Sequence, residues 1–152
     1  MTEPTINDPV RSAIVAKLKT VANIGVVHGY ERYAANQADM QALYVQGGLM
    51  CGWFVRRIYI KESREGGTKE ITRWQIRGYR GFQDATASEL AFDDLIDAIR
   101  AAFRGSNLGG LALTATDDGA GIQLEQSGPV MFGGILAHAA TLTLTTERFI
   151  DA

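Results

Sequence analysis

Two runs rich in β-formers, Leu49 to Glu62 and Thr68 to Phe82, flank the turn sequence Ser63-Arg64-Glu65-Gly66-Gly67. Runs this close, with glycine available where positive φ is needed, pair as an antiparallel hairpin. A lone hairpin is not stable in water, so one of its faces must be covered by other elements. In the second run Thr72, Trp74 and Ile76 alternate with Arg73, Gln75 and Arg77. In the first run Cys51, Trp53 and Val55 form one row, and the apolar row then changes phase to Ile58 and Ile60. A one-residue phase change predicts a β-bulge near Arg56-Arg57. Strands longer than the usual five or six residues predict a tip that projects from the body of the domain.

The covering elements are legible on either side. Val10, Ile14, Leu18 and Val21 mark one apolar stripe of a helix over Asp8 to Val21, with Asn7 or Asp8 as cap and Pro9 in the first turn. A second helix is predicted over Thr86 to Arg104. Thr86-Ala87-Ser88-Glu89 reads as a capping box, Phe92, Ile96, Ile99 and Phe103 form the stripe, and Gly105 ends it. Asn23 to Gly48 has no clear period; Gly25–His28 fits a short strand and Ala38–Gln46 a short helix. Three further strands are predicted at Leu111–Thr116, Ile122–Phe132 and Ile135–Phe149, with turns at Asp117-Asp118-Gly119 and Gly133-Gly134. The expected class is α+β: an antiparallel sheet with a long β-hairpin and two main helices packed on one face, in a single domain over residues 1–152.

Bulk properties narrow the functions. A chain of 152 residues with 46% hydrophobic and 21% charged residues builds its own core. The net charge of −2 gives no global attraction to nucleic acid or acidic lipid. The single cysteine, Cys51, excludes an internal disulfide and a cysteine-rich zinc site, which fits a reducing compartment. The N-terminal MTEPTINDPVRSAIVAKLK reads as no signal peptide. Gln126 to Thr146 is uncharged but holds Pro129, glycines and threonines, so it reads as strands and not a membrane span.

Candidates for chemistry are few. His28 and His138 have no partner at ligand spacing, and His138 lies in an apolar row with Leu136, Ala140, Leu142 and Leu144, where a hydrogen-bonded core histidine is expected. Cys51 reads as a small buried hydrophobe. Asp93, Asp94 and Asp97 are better explained by helix position than by a metal, and no glycine pair has phosphate-loop spacing. No catalytic residue, metal site or cofactor is expected.

Charge is distributed unevenly. Arg56 to Arg80 holds eight bases and three acids, a local net charge of +5, and Asp84 to Asp97 then holds five acids and no base. Three readings stand. The basic hairpin contacts nucleic acid, with Tyr59, Trp74 and Tyr79 among its arginines. Or it docks on the acidic helix of another copy. Or it is a solvated hairpin whose charges discourage edge pairing. Under the docking reading the hairpin contributes Trp53, Arg56, Arg57, Ile58, Lys61, Arg64, Arg73 and Arg77. The helix face contributes Asp84, Glu89, Asp93 and Asp97.

The order of helix, long hairpin, alanine-rich helix and closing strand resembles the tail terminator and tail completion proteins of long-tailed bacteriophages and prophages. The segments carrying the likeness are WQIRGYRGFQDATASELAFDDLIDAIRAAFRG and LAHAATLTLTTERF. The resemblance implies a virion tail protein, present in the host cytoplasm during assembly, that forms a ring, commonly a hexamer. Such a ring stops tube polymerisation and presents a surface for the head. The implied partners are other copies of itself, the tail tube protein and a head-completion protein, with no membrane, no cofactor and at most incidental DNA contact. The alternative is a cytoplasmic α+β domain that binds a small ligand or nucleic acid; an enzyme is a third class.

Overall fold

The computed structural model describes residues 4–64, 66–116 and 119–150. The chain is an α+β fold built on one mostly antiparallel sheet. Strands β3 (Leu49–Arg64) and β4 (Thr68–Gly81) form the expected hairpin. β8 (Ile135–Phe149) pairs along β4, and β7 (Gln123–Phe132) pairs along β8. On the far side of β3 lie β1 (Val26–His28), which is parallel to it, and β2 (Val45–Gln46), which is antiparallel. The path is therefore β1-β3-β4-β8-β7. The last strand in sequence is interior, and the open edges belong to β7 and to the distal half of β3.

Two helices cover one face. α1 (Pro9–Lys19) starts where Asp8 Oδ1 accepts the amide of Val10 at 3.0 Å, and Pro9 occupies a position whose missing N–H costs nothing. It buries Val10, Ile14 and Leu18. α3 (Ser88–Phe103) buries Phe92, Leu95, Ile96, Ile99 and Phe103. These side chains meet Trp53, Val55, Trp74, Ile76, Leu142 and Leu144 from the sheet, and together they form the main core. Each fully buried large apolar side chain contributes roughly 1.5–3 kcal/mol relative to an exposed one. The ring of Trp53 lies over Gly78, where an added Cβ would sit 2.2 Å from Trp53 Cε3.

The short α2 (Gln37–Ala42) and its flanks cover one end of the opposite face. There Tyr44, Met50, Phe54, Tyr79 and Phe132 make a second, aromatic cluster. Tyr44 donates its hydroxyl to Arg32 O at 2.9 Å and meets the rings of Tyr79 and Phe132 edge-on. The rest of that face is open and polar.

Several expectations are corrected. The second helix does not start with a capping box. Asp84–Thr86 forms a single 3-10 turn, Thr86 Oγ1 donates back to Gln83 O, and Ala87 precedes the helix at φ 51 with no side-chain cap. No regular strand occupies 111–114. Ala112 N–H is spent on Asn107 O in a glycine-containing turn, Leu113 makes an isolated bridge to Glu147, and only β5 (Ala115–Thr116) pairs with β6 (Gly119–Ala120). Asp117 and Asp118 of the expected turn, and Glu65 of the hairpin turn, lie outside the described residues. The bulge is present, between Arg57 and Tyr59, and a second lies between Leu124 and Gln126 of β7. Among the described residues no helix is long and apolar enough to cross a membrane.

Candidate interaction surfaces

The basic arm is the distal part of β3 with the start of β4. Register places its charges on both faces. Arg57 lies on the helix side, 3.9 Å from Asp8. Arg56, Lys61, Lys69, Arg73 and Arg77 share the opposite, open face. There Arg56 pairs with Glu31 at 3.5 Å, Lys69 lies 3.9 Å from Glu147, and the Arg73 guanidinium lies 5.0 Å from the Tyr59 ring centre. Arg77 sits 6.0 Å from the ring centre of Tyr79. Such exposed pairs contribute only about 0–1 kcal/mol each. At the bulge Ile58, Tyr59 and Ile60 all keep large exposed surfaces. Lys61 and Arg64 are exposed at the end of the arm.

Trp53 does not belong to this surface. It is 0% exposed and stacked on Phe92 of α3 at 5.7 Å, so it is a core residue. The bulge explains the error: before it the apolar row of β3 faces the helices, and only after it do apolar side chains reach solvent.

The acidic residues gather at the other end of the sheet. Asp84, Glu89 and Asp93 line a cleft of about 560 Å³ between the start of α3 and the edge strand β7. Phe82, Leu90, Phe92 and Leu124 supply its apolar walls, and none of its lining residues is a lysine or arginine. Asp97 is not part of it; it is bound to Arg100 at 3.2 Å on the exposed side of the helix. The arm and the cleft are thus separated by the width of the sheet and cannot meet within one molecule.

At the back of the cleft, Ser88 Oγ lies 2.7 Å from His138 Nε2 and accepts the amide of Gln83 at 2.9 Å. The His138 ring stacks on Phe82 with centroids 3.8 Å apart. The expected hydrogen-bonded core histidine is therefore present, but its partner was missed, because Ser88 was assigned to a capping box. A serine bonded to an imidazole can be a nucleophile with its base. Here Ser88 is only 2% exposed, and its oxygen already holds two partners. Among the described residues no carboxylate hydrogen-bonds the ring. The pair has the build of a latch tying the start of α3 to β8.

The other candidates, His28 and Cys51, are buried and hydrogen-bonded. His28 Nε2–H donates to Leu43 O at 2.6 Å, and its ring meets Tyr44 edge-on. Cys51 is buried, its thiol donates to Ile24 O at 3.4 Å, and burial pushes its pKa up, away from thiolate reactivity. Among the described residues no three His, Cys, Asp or Glu side chains are grouped to hold a metal ion. No protein-family model matches the chain, and no curated protein sequence matches it significantly.

Proposed function

We propose that this chain is a structural protein of a phage tail that assembles as a ring on the end of the tail tube, ends tube polymerisation and offers a surface to the head. The observation that carries the reading is the separation of charge across one sheet, with a basic arm at one edge and an acidic, apolar cleft at the other. A ring repeats a single head-to-tail contact, so each subunit must offer two different, complementary surfaces. The order of helix, long hairpin, alanine-rich helix and closing strand fits the same reading. Its partners are then further copies of itself, the tail tube protein and a head-completion protein. Electron microscopy of tail tubes mixed with the purified chain tests this: rings confined to tube ends support it, and tubes that keep growing uncapped refute it.

A second reading has one observation in its favour. The open sheet face carries five bases with Tyr59 among them, a composition suited to single-stranded nucleic acid. Phosphate contact predicts affinity that falls steeply with added salt. Tight, salt-sensitive binding of an oligonucleotide would favour a nucleic-acid-binding domain over the tail reading.

A further inference from the structure

The cleft beside β7 has one sign of charge and apolar walls, a combination that suits a cation on a long aliphatic stem. Lysine and arginine bury such stems against apolar surface while the charged head meets a carboxylate. The distal half of β3, Arg56 to Arg64, carries four bases and one acid, with Ile58, Tyr59 and Ile60 exposed beside them. Leu90 at the cleft mouth is 64% exposed and Leu124 in its wall 48%. Each surface therefore offers both charge and apolar area that the monomer leaves in water.

We propose that the cleft formed by the start of α3 and β7 is the receptor for the basic arm of a second copy of this chain. This names the contact within the assembly reading above and rests on it. The distal half of β3 and the cleft sit at opposite edges of one sheet, with β4 and β8 between them and strands about 4.8 Å apart. A chain cannot fill its own cleft, so the arm must come from a neighbour. The contact is heterologous and propagates, each copy giving an arm and receiving one. Lys61 and Arg64, on the two faces of the arm's end, reach Glu89 and Asp93 of the neighbour from either side, and the exposed Ile58 and Ile60 cover Leu90 and Leu124. Charge sets the pairing and its rate, and the apolar contact sets its lifetime.

Two charge-reversed chains test the contact by sedimentation velocity at matched concentration. In one, Lys61→Glu and Arg64→Glu make the arm acidic; in the other, Glu89→Lys and Asp93→Lys make the cleft basic. All four positions are exposed, and circular dichroism with thermal melting checks that both chains fold. Each variant alone sets like charges against each other, so its self-association should weaken roughly tenfold or more. Mixed in equal amounts, the acidic arm of the first meets the basic cleft of the second, and the basic arm of the second meets the acidic cleft of the first. The oligomer of the parent chain should then return. Lys61→Cys with Ser127→Cys, oxidised by copper phenanthroline, should cross-link copies into a ladder, whereas Ala101→Cys, on the exposed side of α3, should not. A monomeric parent at high concentration overturns the proposal, as does a mixture that stays dissociated or a ladder no stronger than the Ala101 control. If the parent oligomerises while the reversed chains do so equally well, the cleft is wrong and the assembly reading stands.

Discussion

Ser88→Ala isolates what the buried latch contributes. In the parent chain one oxygen accepts the Gln83 amide at 2.9 Å and bonds His138 at 2.7 Å. Each bond contributes about 0.5–1.5 kcal/mol net, so their joint loss costs roughly 1–3 kcal/mol. The upper part of that range applies if His138 finds no water, because it is only 7% exposed. For a chain of this size that corresponds to a fall of about 2–4 °C in Tm per kcal/mol. Urea unfolding followed by circular dichroism measures it, with the slope against denaturant checked for constancy. A double-mutant cycle with His138→Phe separates the two bonds: the Ser88–His138 coupling should be about 1 kcal/mol, and the remainder belongs to Gln83. Phenylalanine keeps the stack on Phe82, so the cycle does not confound hydrogen bonding with ring packing. A Ser88→Ala chain within about 0.5 kcal/mol of the parent would refute the latch. It would leave the serine as a bystander at the back of the cleft.

Two other perturbations follow from the packing. Gly78→Ala drives a methyl into the buried Trp53 ring, which stacks on Phe92, so a loss of about 1–3 kcal/mol in urea unfolding is expected; a loss below about 0.5 kcal/mol would mean the ring is not held as described. Burial pushes the pKa values of Tyr44 and Tyr79 up. Below about pH 10 both phenols are protonated folded or unfolded; above it the unfolded chain ionises first, so stability should fall as pH rises beyond about 10. Unfolding free energies compared at about pH 9 and 11, with tyrosinate absorbance alongside, check the sign, and an unchanged free energy would contradict it.

The parts of the fold legible in sequence are those where one face is buried and the period is unbroken. The rows Thr72-Trp74-Ile76 and Phe92-Ile96-Ile99-Phe103 gave the hairpin, the helix and their contact, because burial on one face imposes the period directly. Errors fall where backbone conformation decides. Ala87 at φ 51 ahead of α3 has no sequence signature, since glycine or asparagine is the usual left-handed residue, and it converts an apparent capping box into a 3-10 turn. The parallel pairing of β1 with β3, and the placing of β8 between β4 and β7, are tertiary choices that strand patterns do not encode. The cleft was half visible. The acids were found from their run in sequence, but the β7 wall and His138 come from strands that are distant in the chain. Trp53 was misplaced because a row of alternate residues does not tell which face is covered.

How the edges of the sheet are built bears on how copies could meet. β7 presents its outer edge, and β3 does so beyond the short β1. Unpaired edges of this length are templates for uncontrolled strand addition unless something blunts them. Both carry a bulge, at Leu124/Gln126 and at Arg57/Tyr59, which twists the edge and breaks the ladder. β3 adds arginines and a lysine. β7 adds Pro129, which sits opposite His138 and has no N–H to offer an incoming strand. Strand-to-strand addition is thus opposed at both edges, and this favours contact between copies through side chains, as in the proposed entry of an arm into the cleft. Pro129→Val tests this logic. It restores a donor and a β-branched residue to β7 without adding charge, so the edge becomes a better template while the core is untouched. The variant should unfold at nearly the parent's urea midpoint. On concentration it should form thioflavin-binding aggregates earlier, and its oligomers should no longer dissociate on adding salt. If Pro129→Val remains as soluble as the parent and as sensitive to salt, the proline is not guarding the edge.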